Sequence, residues 1–230
     1  MSLCRSFGRI QIHLGVALLI LLISSVVTAQ RLLGDIYGER VALSLDFLGR
    51  KRISPDLQML DQHIDFISQA RSFSPISARY LELEARLRLM RLLDIPLANV
   101  PGELEEILSL HKTALAYRPN WPFSWANVAL TKSMLHQLDD EFDQALNRVM
   151  IHGPYESGVL LRVISTGIGN WSALSAGSRE LIYQAVANSV ELSSGTARNI
   201  RRQLERKGVV EEFCNQVPFH SERGHSLVCE

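Results

Sequence analysis

Four side chains near the C-terminus have the chemistry to bind a metal or to form a cross-link. Cys214, His220, His225 and Cys229 are spaced Cys-x5-His-x4-His-x3-Cys. The set lacks the tight pairs of a structural zinc site, so no metal ligand is assigned. The two cysteines are candidates for a disulfide instead. It would close a 16-residue loop and stabilise by about 3 kcal/mol in the chain-entropy picture. The alternative, two unpaired thiols in a mobile tail, stays open at this point. A third cysteine, Cys4, precedes the apolar segment described below and is expected to stay reduced.

Carboxylates form two clusters. Glu103, Glu105 and Glu106 make one; Asp139, Asp140, Glu141 and Asp143 make the other. Two acids at a set separation are the machinery of glycoside hydrolysis. Each cluster opens a predicted helix, however, where the helix dipole already favours negative charge. Capping and solvation account for both. Gly-x-Ser-x-Gly, His-Glu-x-x-His and phosphate-loop patterns do not occur. Gly167 and Gly169 read as an interhelical turn, and Asn170-Trp171-Ser172 is a lone sequon. His63, His111, His136 and His152 are scattered over predicted helices as core edges or surface. No catalytic residue and no cofactor is assigned.

Composition bounds the class. The chain has 230 residues and a mass of 25.8 kDa, with 47% apolar and 21% charged residues. It can fill a core and is neither disordered nor collagen-like. Basic and acidic residues number 24 each, which argues against a dedicated nucleic-acid binder. Residues 31–100 hold ten basic and nine acidic side chains, residues 101–151 four and seven, and residues 152–230 eight of each. No basic patch stands out at this resolution.

The N-terminus sets the compartment. No charge occurs from Ile10 to Gln30, and 21 helical residues reach about 31 Å, enough for a bilayer core. Arg5 and Arg9 precede the run, which keeps that end in the cytoplasm and exports the rest. A signal-anchor is favoured over a cleaved secretory signal at Val27-Thr28-Ala29, because the run is long for a signal core. His13, near the start of the run, falls close to the cytoplasmic interface. The expected organisation is a cytoplasmic tail (1–9), a transmembrane signal-anchor (10–30), a juxtamembrane helix or linker (31–53), a helical domain (54–215) and a flexible tail (216–230).

The body reads as helices throughout, with no alternating strand pattern. Ser54-Pro55-Asp56 looks like an N-cap, a first-turn proline and a dipole-facing acid. Leu57, Leu60, Ile64, Ile67 and Ala70 follow at helical spacing. Ser74-Pro75 repeats the start signal before Tyr80, Leu83, Leu87 and Met90. Pro96 and a loop to Gly102 end that helix. Further helices are predicted over 103–117, with Leu104, Ile107, Leu108, His111 and Leu115 inward, and over 122–137, 139–151, 156–167, 175–192, 195–207 and 209–214. The residues from Pro218 are polar and read as loose.

Short connections between helices suggest a hairpin array. Ala114, Pro119 and Trp125 have the spacing of the ~34-residue tetratricopeptide repeat. Val128 and Ala129 fall at its large and small positions. With one inserted residue, Phe142, Leu146, Val149 and Pro154 continue it. Ala129 would let the paired helix approach, Trp125 would fill the space between hairpins, and the prolines would fix the turns. Phe123, Ala126, Asn127, Leu130 and Ser133 would then face a groove, where Asn127 could hydrogen-bond an extended peptide. The competing reading has terminal helices covering this face, with Asn127 capping or solvated.

Three phrases carry a family resemblance. Ala116–Lys132 (AYRPNWPFSWANVALTK), Asn170–Leu192 with Trp171, Leu174 and Arg179, and Arg202–Cys214 resemble the VpsP-type accessory family of bacterial exopolysaccharide biosynthesis. The resemblance implies a non-enzymatic, membrane-anchored adaptor in polysaccharide synthesis or export. Its partners would be envelope proteins of that machinery, its membrane contact residues 10–30, and its domain periplasmic. A small glycan-acting envelope enzyme and a general scaffold of division or secretion are the alternatives.

Overall fold

A computed structural model describes residues 2–51, 53–92 and 101–230, with side chains from residue 15 onward. It is 84% helical, with eleven α-helices and no strand among the described residues. The chain divides into two compact units, residues 1–84 and 85–230. Pro96 and the loop from residue 94 to 100 lie outside the described residues, as do the side chains of Cys4 and His13.

In the first unit, α1 runs without a break from Ser2 to Lys51. Its stretch Gly15–Leu48 is long and apolar enough to cross a membrane. From Val16 to Leu33 the large apolar side chains are exposed, Leu22 at 65%. Burying such a side chain stabilises by about 1.5–3 kcal/mol, so this stretch calls for an apolar surrounding. Further along, Gly34, Gly38, Val41, Leu45 and Leu48 turn inward at spacings of four and three, and α1 packs on α2 (Leu57–Phe73). The glycines permit close approach. A methyl at Gly34 would meet the Ala70 carbonyl at 3.2 Å. Tyr37 stacks on Phe66 and Phe73 at 6.1 and 6.2 Å. Residues 31–51 thus continue the same helix, the helical form of the expected juxtamembrane helix or linker.

The cap of α2 is Asp56, whose carboxylate accepts from the Met59 N–H at 2.7 Å. Ser54 stands two residues outside it, because Asp56 is the side chain that reaches the third helical N–H. Leu60, Ile67 and Ala70 are buried as their spacing predicts, but Leu57 is 49% exposed in the first turn. The start of α3 (Ala78–Leu92) is tied back by Arg79–Glu39, Tyr80–Asp35 and Arg71–Glu84 contacts.

The second unit holds α4 (Pro101–Tyr117), α5 (Pro122–Met134), α6 (Asp140–His152), α7 (Ser157–Gly169), α8 (Ala176–Leu192), α9 (Ser194–Lys207), α10 (Val210–Gln216) and α11 (Glu222–Cys229). All five predicted inward residues of α4 are buried. α5 ends three residues short of the predicted Gln137, because His136 adopts a left-handed φ of 57°. Asp139 caps α6 by accepting from the Glu141 and Phe142 N–H groups. Gly208, at φ 74°, ends α9.

Contacts follow a regular order. α4 packs on α5, α5 on α6 and α7, α6 on α8, and α7 on α8 and α9. Phe142, Leu146, Val149, Leu160, Ile164, Ile182, Ile200, Leu204 and Phe213 fill the shared core. The end of the chain departs from expectation. Residues 216–230 are not a loose tail: they include α11, which packs on α8, α9 and α10 and buries Val228. Ser221 caps it and also donates to Glu191 at 2.7 Å.

Candidate functional site

The face shared by α5 and α7 collects most of the predicted groove residues. Ala126, Asn127 and Ser133 are buried there, and Phe123 and Leu130 are half-buried. Leu130 and Ser133 line a shallow cleft of about 500 Å³ with Gly158, Leu161, Arg162, Ser165, Thr166 and Asn170. Asn127 neither caps a helix nor lies in solvent. Its Oδ1 accepts from the Arg162 guanidinium across the cleft. Phe123 reaches Gly158, where an added methyl would lie 3.6 Å from its ring. The cleft is lined by both apolar and polar groups, and its Arg162 guanidinium is already joined to the buried Asn127 amide. It can present donors to a carbonyl or carboxylate but holds no nucleophile–base pair.

Arg162, Ser165 and Thr166 went unread in the sequence, and Asn170 was read only as part of a lone sequon and of a resemblance phrase. Arg162 lies 35 residues after Asn127, one helix pair further on with the single inserted residue. Carrying the Asn127 position forward by that interval is the signal that would have found it.

The residues proposed to shape the hairpins lie where their sizes matter. Ala114, Val128 and Ala129 are buried. Trp125 donates its Nε1–H to the Pro119 carbonyl at 2.7 Å, pinning the turn before α5. The Pro154 carbonyl accepts from Asn188 at 2.9 Å, and a methyl at neighbouring Gly153 would stand 2.7 Å from Pro122 Cβ. Trp121, beside this turn, is covered on one face by the Arg118 guanidinium at 4.0 Å and meets Phe123 at 5.5 Å.

Five of the seven clustered acids are engaged by a base or a hydroxyl. The Lys132 ammonium, 3% exposed, donates to Asp139 and Glu141 at 3.0 Å each, and Lys112 meets Glu141 at 2.7 Å. Burial alone would lower the Lys132 pKa, but the hydrogen bonds to Glu141 and Asp139 outweigh it and the net direction is up. For Glu141 the hydrogen bond from Lys112, then that from Lys132, holds the carboxyl below its ordinary value. Burial works against Asp139, yet Lys132 and the backbone N–H groups depress it too. Carboxyls held ionised have no proton to give to a leaving group at neutral pH. Asp143 accepts from Ser175 and Ser178, and Glu103 and Glu106 face Arg91 and Arg88.

At the C-terminal end, Trp171 sits on a short 3-10 turn between α7 and α8. Its ring centroid lies 4.6 Å from Phe213 and 5.3 Å from Tyr183. Glu212 accepts from both the Trp171 indole and the Tyr183 hydroxyl at 3.0 Å. Burial, and then that bond, push the Tyr183 pKa up to about 12. Arg179 lies over the indole at 5.4 Å, and Leu174 is buried beside it. Next to Phe213, Cys214 is bonded to Cys229, with Cα atoms 5.8 Å apart. The bridge removes both thiols as metal ligands. His220 contacts Asn188 at 3.1 Å and His225 packs edge-on against Phe219. No metal-binding cluster occurs among the described residues. This end is a lock rather than a site.

No protein-family model matches the chain, and no curated protein matches it significantly.

Proposed function

We propose that this protein is a non-enzymatic, membrane-anchored adaptor in the synthesis or export of a cell-surface exopolysaccharide. α1 would hold it in the inner membrane, and a tetratricopeptide-like array of hairpins would stand in the periplasm. The observation that carries the adaptor reading is the face where α5 meets α7, whose cleft is lined by Leu130, Ser133, Ser165 and an Arg162 held by Asn127. The contact order supports the array: from α4 onward each helix packs on its neighbour, and α5 also on α7, α6 on α8 and α7 on α9. The Cys214–Cys229 bridge supports an oxidising compartment. The ion pairing of Asp139 and Glu141 favours binding over hydrolysis. The polysaccharide pathway itself rests on the sequence resemblance.

The test joins genetics to crosslinking. Deleting the gene should reduce surface polysaccharide, and a photocrosslinker at Leu130 or Ser165 should capture an envelope protein of the export machinery. Arg162→Ala should weaken that capture. Normal polysaccharide output together with no captured envelope protein would overturn the reading. A reporter fused to the C-terminus should be active in the periplasm only.

A further inference from the structure

Regional charge sums conceal one basic face. α9 carries Arg198, Arg201, Arg202, Arg206 and Lys207 against one acid, Glu205. Its buried side is Thr196, Ala197, Ile200 and Leu204. On the opposite side Arg198, Arg202 and Arg206 recur every fourth residue and are all exposed. At 1.5 Å per residue the row is about 12 Å long. Arg201 is paired with Glu205 at 2.8 Å, and Lys207, elsewhere on the helix, donates to the Gly169 carbonyl at 2.9 Å. Among the described residues no carboxylate lies within ion-pair reach of Arg198, Arg202 or Arg206. Like charges four apart on a helix repel, a cost that an anionic ligand would relieve.

We infer that this row binds an acidic polysaccharide, its guanidiniums pairing with carboxylates along an extended chain. The anionic character of the ligand rests on the row alone; its being a sugar polymer rests on the function proposed above. Planar guanidinium forks match carboxylates in pairs, which a hydrated ammonium does less well. A straight row of repeated cations suits a repeating chain better than a single ion. An anionic bilayer is the competing surface. Helices that lie on membranes set Trp, Phe or Leu beside their cations, and no large apolar side chain is exposed between Gly195 and Lys207.

The full-length protein in nanodiscs of zwitterionic lipid should be titrated with polygalacturonate and, separately, with neutral dextran. Polygalacturonate should bind and weaken as salt rises; dextran should not bind. The triple variant Arg198→Gln, Arg202→Gln, Arg206→Gln should keep its helical circular dichroism and lose affinity on the order of tenfold. Lysine at the same three positions should restore only part of it, the charge without the fork. Unchanged affinity in the glutamine variant, or equal binding of dextran, overturns the inference. So does row-dependent binding that is tighter for phosphatidylglycerol vesicles or duplex DNA than for polygalacturonate. The two proposals separate cleanly. If deletion reduces output but the glutamine variant binds polygalacturonate as tightly as the natural protein, the row falls and the adaptor stands. If deletion leaves output normal and no envelope protein is captured while the row still binds the polymer, the pathway reading falls and the row stands.

Discussion

The α5–α7 hairpins and the α8–α11 end are both well packed, but by different means. The hairpins are held by repetition. Small residues stand where helices close, as at Ala129 and Gly153, and apolar residues return every three or four positions. The C-terminal end is held by single residues drawn from distant points. Trp171, Tyr183, Glu212 and Phe213 meet in one cluster, and a covalent bridge ties α10 to α11. The contrast teaches that a repetitive region can leave a face open because its stability is spread over many contacts. The end, where few helices remain to cover one another, closes by concentrating its contacts.

The sharpest way to break this contrast is to empty the cluster. Phe213→Ala should destabilise by about 3–5 kcal/mol in urea denaturation, more than any single change on the α5–α7 face. Replacing both bridged cysteines by serine should cost about 3 kcal/mol, and reductant should have the same effect on the natural protein but none on the variant. Gly153→Ala tests the hairpins. The new methyl would press on the rigid Pro122 ring, for an expected loss of about 1–3 kcal/mol. A loss beyond that of Phe213→Ala would reverse the comparison.

The smallest effect is a pH dependence. Asp139 and Glu141 have depressed pKa values in the fold, so their contribution is present above the ordinary carboxylate range, near pH ~4, and is lost as pH falls through the folded values. Lys132 is raised, so its share is present below its unfolded value and is lost only as strongly alkaline pH passes the folded one. Both acids are substantially exposed, and solvent screening keeps the effect within about 1 kcal/mol. Lys132→Met should flatten the acid limb of stability against pH. An unaltered acid limb would show that the pairing contributes nothing.

How much could be read beforehand follows from the same contrast. Helical periodicity located α4 through α9, and the five inward residues of α4 are buried as spaced. Trp125 and Ala129 were legible because their spacing marks a turn and a close approach. α11 was not: it offers only Gly224 and Val228 to the core, too few for a periodic signal, and it is fixed by a cross-link whose partner choice is a tertiary fact. The arginine row was hidden because the eight acids of residues 152–230 balance its charge in a sum, although all but Glu205 lie on other elements. Asp56 displaced Ser54 as a cap because position relative to the first free N–H decides capping, and residue type alone does not locate it.

One feature of α1 has a mechanical meaning. Fifty continuous helical residues make a rod about 75 Å long, more than twice the thickness of a bilayer's hydrocarbon core. Its last third, from Gly34 onward, is already clamped to α2. There is no slack joint between the apolar stretch and the packed one. A tilt or twist imposed on the first half would swing α2 as a lever arm, so the rod can relay motion as well as hold position.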